Sequence, residues 1–284
     1  MDQPTFDGIN TYIVSKYTRQ GGLTVALSGV GGDELFGGYP SFLWAPRLER
    51  LRQWVPGPVK YGAGALIQHA LRHNDRARKL GRWFQDRELG NSAYFLVREL
   101  FSPGDRRHLV PVLNSDVGQP NRAVLDESAS LDNWNRVSAL ELSHYMRNVL
   151  LRDTDNMSMA HGLEVRLPFL DHRLVEFMLS LPGDVKVAGN QPKALLVETI
   201  GDLPPEIVSR RKQGFTLPFS RWLRDQLKEE VEAVLLDASG TGALGEILDR
   251  TAVHDIWKRF LSGKGVWVRP WALYVVQQWC ARHL

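Results

Sequence analysis

The stretch Leu27-Ser-Gly-Val-Gly-Gly-Asp-Glu-Leu-Phe-Gly-Gly-Tyr39 follows directly on the apolar run Leu23-Thr-Val-Ala-Leu27 and sets five glycines around two carboxylates. A strand that ends in a glycine-rich turn and then a helix is a common way to present backbone N–H groups to an anion. Gly29, Gly31 and Gly32 admit backbone angles closed to other residues and let a ligand approach the main chain, while Ser28 adds a hydroxyl donor. Asp33 and Glu34 fall in the first helical turn, where an acid is favourable and where a carboxylate can hold Mg²⁺ that bridges phosphate oxygens. The segment is neither a Walker loop nor a dinucleotide fingerprint. On local pattern alone, a turn whose glycines serve only tight packing is an equal alternative.

Outward from this loop, residues 5 to 20 read as a helix that joins Gly21-Gly22, the strand and the turn into one strand-and-helix unit of a parallel sheet. No comparable second strand is obvious. From Pro40 to Arg98 the pattern is helical, with breaks expected at Pro46, Pro56-Gly57-Pro58 and Gly90-Asn91. Ser102-Pro103-Gly104-Asp105 reads as a helix start with proline in the first turn, and Asn114 to Ser130 as loop. Asp132 can cap a long helix in which Leu142, Tyr145, Met146 and Val149 share one buried face. Gly162 to Asp171 is too short and too interrupted by Pro168 for a helix, and short helices separated by Pro and Gly fill the remainder. The inventory predicts a mainly helical α/β chain with an incomplete parallel sheet.

Composition places limits on the rest. The 284 residues are 43% hydrophobic and 24% charged, as in ordinary globular proteins, and the nine tryptophans imply substantial burial. No apolar run approaches the roughly 18 residues needed to cross a bilayer, and the start, Met1 to Asp7, lacks the basic and apolar regions of an export signal. Cys280 is the single cysteine, which excludes an internal disulfide framework and suits a reducing compartment, so a cytoplasmic location is expected. A formal charge of +3 is small for this length. The sequence pI near 9.0 reflects dispersed arginines without interleaved aromatic stripes, which argues against nucleic acid as a partner.

Three motifs then fall into register. Together Ser28-Gly-Val-Gly-Gly-Asp-Glu-Leu-Phe-Gly-Gly-Tyr39, Asp153-Thr-Asp-Asn-Met-Ser-Met-Ala-His-Gly-Leu-Glu-Val-Arg-Leu-Pro-Phe-Leu-Asp-His172 and Arg210-Arg-Lys-Gln-Gly-Phe215 resemble the synthetase domain of the glutamine-dependent asparagine synthetase family, in order and spacing, over nearly the whole chain. The resemblance implies one unit, residues 1–284, that forms the C-terminal part of an ATP pyrophosphatase-type, adenine-nucleotide alpha-hydrolase-like domain. In that family ATP adenylates the side-chain carboxylate of aspartate, and ammonia displaces AMP to give asparagine. It further implies that Ser28, Gly29, Gly31 and Gly32 contact ATP, that Asp33 is a Mg²⁺ ligand, and that Lys212 meets the phosphates or the adenylated intermediate.

The residues themselves carry plainer readings beside these. Arg210-Arg-Lys212 suits a solvated basic edge at a helix C-terminus. Asp153 and Asp155, two apart on a helix, do not share a face; by motif position Asp155 is the one expected to orient substrate or to pair with Arg152 or Arg166. Glu164 and Arg166 flank Val165 in an extended segment and point to one side, able to form an ion pair or to frame a substrate pocket. His161 and His172 lack metal-ligand spacing.

The sequence departs from the family in three places. Position 2 is Asp2 and no cysteine precedes position 280, so an amidotransferase domain is not expected here. The pyrophosphate loop Ser-Gly-Gly-x-Asp-Ser is absent, so Ser28 and Asp33 form half of a nucleotide site; a complementing N-terminal half or a homodimer is the expected partner. Val30 stands where many relatives carry an acid that assists proton removal from ammonium. A different amide or lactam product, or a degenerate module that has lost nucleotide chemistry, is the alternative.

Overall fold

The computed structural model describes residues 4–70, 75–85, 93–112, 122–186, 193–209, 214, 217–237, 244–245 and 247–283. Helix α1 (Gly8–Gln20) leads into β1 (Val25–Leu27) and the short α2 (Gly32–Phe36), which is followed by α3 (Pro40–Trp54), α4 (Gly57–Ala70), α5 (Asp75–Gln85), α6 (Ala93–Arg98) and α7 (Pro103–Leu109). Next come α8 (Arg122–Ser128), α9 (Asn133–Leu140), a ten-residue π-helix (Glu141–Leu150) and α10 (Leu151–Met159). Strand β2 (Glu164–Arg166) and a 3₁₀ turn (Pro168–Leu170) precede α11 (His172–Ser180), α12 (Ala194–Ile200), α13 (Pro205–Val208), α14 (Phe219–Trp222), α15 (Lys228–Leu235), α16 (Arg250–Leu261) and α17 (Val268–His283).

Several boundaries follow from local chemistry. Asp132 accepts hydrogen bonds from the Trp134 and Asn135 N–H groups and so caps α9. Ser102 and Asp105 cap each other's backbone at the start of α7. Pro46 does not break the chain as expected; it sits inside α3, which gives up one helical hydrogen bond there. Within the stretch expected to be loop, Arg122–Ser128 is helical. The expected break at Gly90-Asn91 lies outside the described residues.

The sheet is parallel and, among the described residues, two-stranded, with Val25 opposite Glu164, Ala26 opposite Val165 and Leu27 opposite Arg166. The second strand corrects the expectation of one. Glu164-Val-Arg166 carries a single apolar residue, so its strand character comes from pairing with β1 rather than from its own pattern. Because paired residues share a face, Val25, Leu27, Glu164 and Arg166 lie together on the exposed side, while Ala26 and Val165 face inward and are half-buried.

Three apolar clusters hold the helices. Leu35, Phe36 and Met178, with Phe169, Leu174 and Leu142 against them, lie under the glycine loop. Phe42, Trp83, Phe84, Tyr94, Val137 and Leu140 belong to a second cluster, built by α3, α5, α6 and α9. Phe219, Leu223, Val231, Trp257, Phe260 and Trp271 belong to a third, formed by the C-terminal helices. Between the first two runs a polar core. Glu141, fully buried, accepts from Arg98 Nε at 2.9 Å, pairs with Arg98 Nη2 at 2.7 Å, and accepts from the Tyr94 hydroxyl at 3.2 Å and from Ser41. The Arg98 guanidinium lies 4.2 Å and 4.1 Å from the Tyr39 and Tyr145 ring centroids.

Candidate functional site

The glycine loop stands at the carboxyl end of β1, the end at which open parallel sheets bind ligands. Its Ser28 N–H donates to the Arg166 carbonyl at 2.9 Å, which extends the ladder and locks the loop's first residue to the end of β2. Gly31 has φ 99°. A side chain there would also strike the 3₁₀ turn, since a Cβ would stand 2.7 Å from Leu170 Cδ2 and 3.1 Å from Phe169 Cβ. The first two sequence motifs are thus packed directly on each other, with Phe169 also edge-on to Phe36 at 5.8 Å.

The loop's donors divide into spent and open ones. The Val30 N–H donates to Ser28 Oγ at 3.3 Å and the Gly32 N–H to the Gly29 carbonyl at 3.2 Å, so with Ser28 three amides are used internally. Among the described residues the Gly29 and Gly31 N–H groups meet no protein acceptor. Any anion held by the loop would therefore take fewer amides than its glycine content suggests.

The two carboxylates part company. Glu34 is 1% exposed and turned inward, where Tyr39 donates its hydroxyl at 2.9 Å and Ser138 Oγ donates to the Glu34 carbonyl at 2.8 Å. Burial raises the Glu34 carboxyl above its ordinary pKa, against the lowering effect of the Tyr39 hydrogen bond. Asp33 is half-buried beside the loop instead, its Oδ1 2.8 Å from Lys193 Nζ. Gly38 makes room for it: a Cβ on Gly38 would stand 1.7 Å from Asp33 Oδ1.

Lys193 is the residue that sequence reading missed. It precedes α12 and has φ 55°, the left-handed region that disfavours side chains. The one available signal is weak, a cation just before an apolar helical run with no acid within four residues of it. Its ammonium also lies 4.0 Å from where a Cβ on Gly32 would be, so it sits over the loop.

The other expected site residues are dispersed. Glu164 and Arg166 form an ion pair at 2.8 Å on the exposed face of the sheet, Arg166 beside the loop's entry. Such an exposed pair contributes little to stability and leaves both groups open to a ligand. Asp155 is exposed on α10, whereas Asp153 is 1% exposed and accepts the Thr5 hydroxyl at 2.5 Å. Asp153 is thus a structural tie between α10 and the start of α1, and the two aspartates face apart as their spacing requires. His161 packs on Tyr12 with ring centroids 4.2 Å apart. Lys212 lies outside the described residues.

A metal at this site would rely on the ligands of its phosphates. Asp33 is one half-buried carboxylate, and no group of three His, Cys, Asp or Glu side chains among the described residues is placed to hold an ion. That donor set fits Mg²⁺, which commonly takes one or two carboxylates and completes its shell with phosphate oxygens and water. No described helix is long and apolar enough to cross a membrane.

The family profile described as asparagine synthase matches residues 1–281. The chain is 28% identical over 245 residues to glutamine-hydrolyzing asparagine synthetase 1 of Bacillus subtilis (strain 168), covering 84% of this chain and 38% of that protein. It is 28% identical over 292 residues to a putative glutamine-hydrolyzing asparagine synthetase of Mycobacterium bovis, covering 99% of this chain and 43% of the relative. With the glutamine-hydrolyzing asparagine synthetase of Mus musculus identity is 40% over 96 residues, 30% of this chain and 17% of the relative. The chain thus spans about two fifths of the length of the first two relatives. The loop at the end of a parallel strand, the turn that packs beneath it and a match from residue 1 to residue 281 make one assignment: this chain belongs to the asparagine synthase family.

Proposed function

We propose that the chain is the C-terminal part of an ATP-dependent amide ligase of the asparagine synthase type, with an adenine-nucleotide alpha-hydrolase-like architecture completed by a further segment. The carboxylate of aspartate or a similar acid takes the AMP group of ATP with release of pyrophosphate, and ammonia then displaces AMP to leave the amide. The observation that carries this reading is the glycine loop at the carboxyl end of β1, within a family match that covers residues 1–281.

Each residue then has a task. Ser28 Oγ and the Gly29 and Gly31 amides bind phosphate oxygens, with Gly32 allowing close approach; Asp33 takes Mg²⁺ and Lys212 faces the phosphates or the adenylate. Bound Mg²⁺ supplies charge neutralisation at the phosphates. Asp155 orients the acid, and Glu164 with Arg166 frames its entry. Transfer at phosphorus is mainly positioning and neutralisation, which suits a site of amides, one carboxylate and cations. Val30 supports a second reading of the acceptor, since an aliphatic side chain supplies no base to the incoming amine: an acid other than aspartate, giving another amide or a lactam.

The partner we propose is a complementing N-terminal half that carries the Ser-Gly-Gly-x-Asp-Ser loop. Parallel sheets are normally covered on both faces, yet Leu23, Val25 and Leu27 are 56%, 39% and 75% exposed. A homodimer is the other cover for this surface. The test mixes the full chain with a family N-terminal half and follows pyrophosphate release: release that requires both chains, Mg-ATP and aspartate supports the reading. Release absent for aspartate and for other amino acids rejects it.

A further inference from the structure

Among the described residues the Asp33–Lys193 pair is half-buried and set against the glycine loop, whereas the Glu164–Arg166 and Asp171–Arg173 pairs lie exposed between residues two apart in sequence. Asp33 is fixed by its place in α2 and by the Gly38 gap that admits its carboxylate. Lys193 is fixed by a backbone conformation that only surrounding structure can hold, and such strain collects at functional positions. Its side chain remains 34% exposed, which leaves the ammonium room to move.

Given the phosphate-binding role proposed for the loop, we infer that Lys193 and Asp33 are an exchangeable pair: a magnesium-bearing phosphate brings the metal to the Asp33 carboxylate and frees the Lys193 ammonium for the phosphate oxygens. The electrostatics require a trade of this kind. A carboxylate next to a polyphosphate repels it, and a lysine that neutralises the carboxylate is lost to the phosphate. Metal-free phosphate must compete with Asp33 for the ammonium. With Mg²⁺ on the carboxylate, both cations work on the phosphate at once. Lys193 is thus the second cation of the site, beside the Lys212 expected from the motif.

Pyrophosphate titrated calorimetrically into the full chain mixed with a family N-terminal half, in excess chelator and in millimolar Mg²⁺, tests the exchange. A charge-assisted hydrogen bond is worth roughly a ten-fold change in affinity. Lys193→Met should therefore weaken Mg-pyrophosphate binding about ten-fold, with Lys193→Arg restoring most of it. Lys193→Gly, which suits the positive φ and keeps the fold, should weaken it as the methionine does. Asp33→Asn should bind metal-free pyrophosphate several-fold tighter than the parent and lose the benefit of Mg²⁺. If the parent binds pyrophosphate and Lys193→Gly binds it equally, or if Asp33→Asn gains nothing without metal, the exchange is wrong while the nucleotide role stands. If the parent mixed with the N-terminal half binds pyrophosphate under neither condition, the nucleotide role itself falls and the exchange with it.

Discussion

The Asp33 carboxylate is folded over Gly38 so closely that a methyl group on Gly38 would stand 1.7 Å from Oδ1 and 2.5 Å from Cγ. The glycine pair that ends the loop is therefore part of the site and not only a helix terminator. Gly38→Ala must rotate the Asp33 side chain away and break its contact with Lys193. Because a flexible side chain yields more cheaply than backbone, the expected stability loss is small, about 1 kcal/mol. Thermal denaturation should register that loss. Pyrophosphate calorimetry should show Mg²⁺ dependence reduced, as for Asp33→Asn.

The polar core beneath the loop makes a much larger effect available. Glu141 is fully buried and depends on Arg98, Tyr94 and Ser41 for its hydrogen bonds. Arg98→Met leaves the charge uncompensated and should destabilise the chain by about 3–5 kcal/mol, read as a lower urea midpoint. The double variant Arg98→Met with Glu141→Gln removes both charges and should recover at least half of that loss. Recovery of nothing would show that the arginine acts by stacking on Tyr39 and Tyr145 instead of by its charge.

Asp153 gives the fold a pH dependence of defined sign. Burial raises its carboxyl to about 6 from 3.8, against the Thr5 hydrogen bond and with a small contribution from the charge of Asp7. The folded chain thus holds this proton more tightly than the unfolded one, so the associated stability is complete below pH 4 and is lost as pH rises through 6. The loss is on the order of 3 kcal/mol. Asp153→Asn keeps an acceptor for Thr5 without the charge. Melting curves between pH 4 and 7.5 should show a flatter profile than the parent and a melting temperature at pH 7.5 that is equal or higher.

How much of this was legible depends on where each feature's cause lies. The β1 strand, the Asp132 cap and the Ser102–Asp105 capping box follow from neighbours within a few residues, and the sequence pattern locates them. Strand β2 does not: Glu164-Val-Arg166 becomes extended because Val25–Leu27 offers it a ladder. The π-helix is hidden for a different reason. Leu142, Tyr145, Met146 and Val149 fit the spacing of an α-helix face, and nothing in that pattern marks the wider winding of Glu141–Leu150. Of the candidate site, the sequence motifs locate Ser28, Asp33 and Arg166 near one another, and the structure brings Ser28 and Arg166 into contact. Lys193 was not legible, since its position depends on where the segment before α12 returns to the loop. The inward turn of Glu34 is equally tertiary, set by Tyr39 and Ser138.

The exposed side of the sheet yields the last expectation. Leu27 is 75% exposed at the carboxyl end of β1, next to the Glu164–Arg166 pair on the same face. Leu27→Asp removes almost no buried contact, so the isolated chain should keep its melting temperature, with a stability change within about 0.5 kcal/mol. Burial of Leu27 by a complementing half would instead contribute roughly 1–2 kcal/mol to association, and a charge there would add a desolvation cost to that lost contact. Sedimentation or calorimetry with the N-terminal half should then show affinity reduced by ten-fold or more. An unchanged affinity would move the docking surface off this face of the sheet, towards the exposed Tyr12, Ile13, Val14 and Tyr17 of α1.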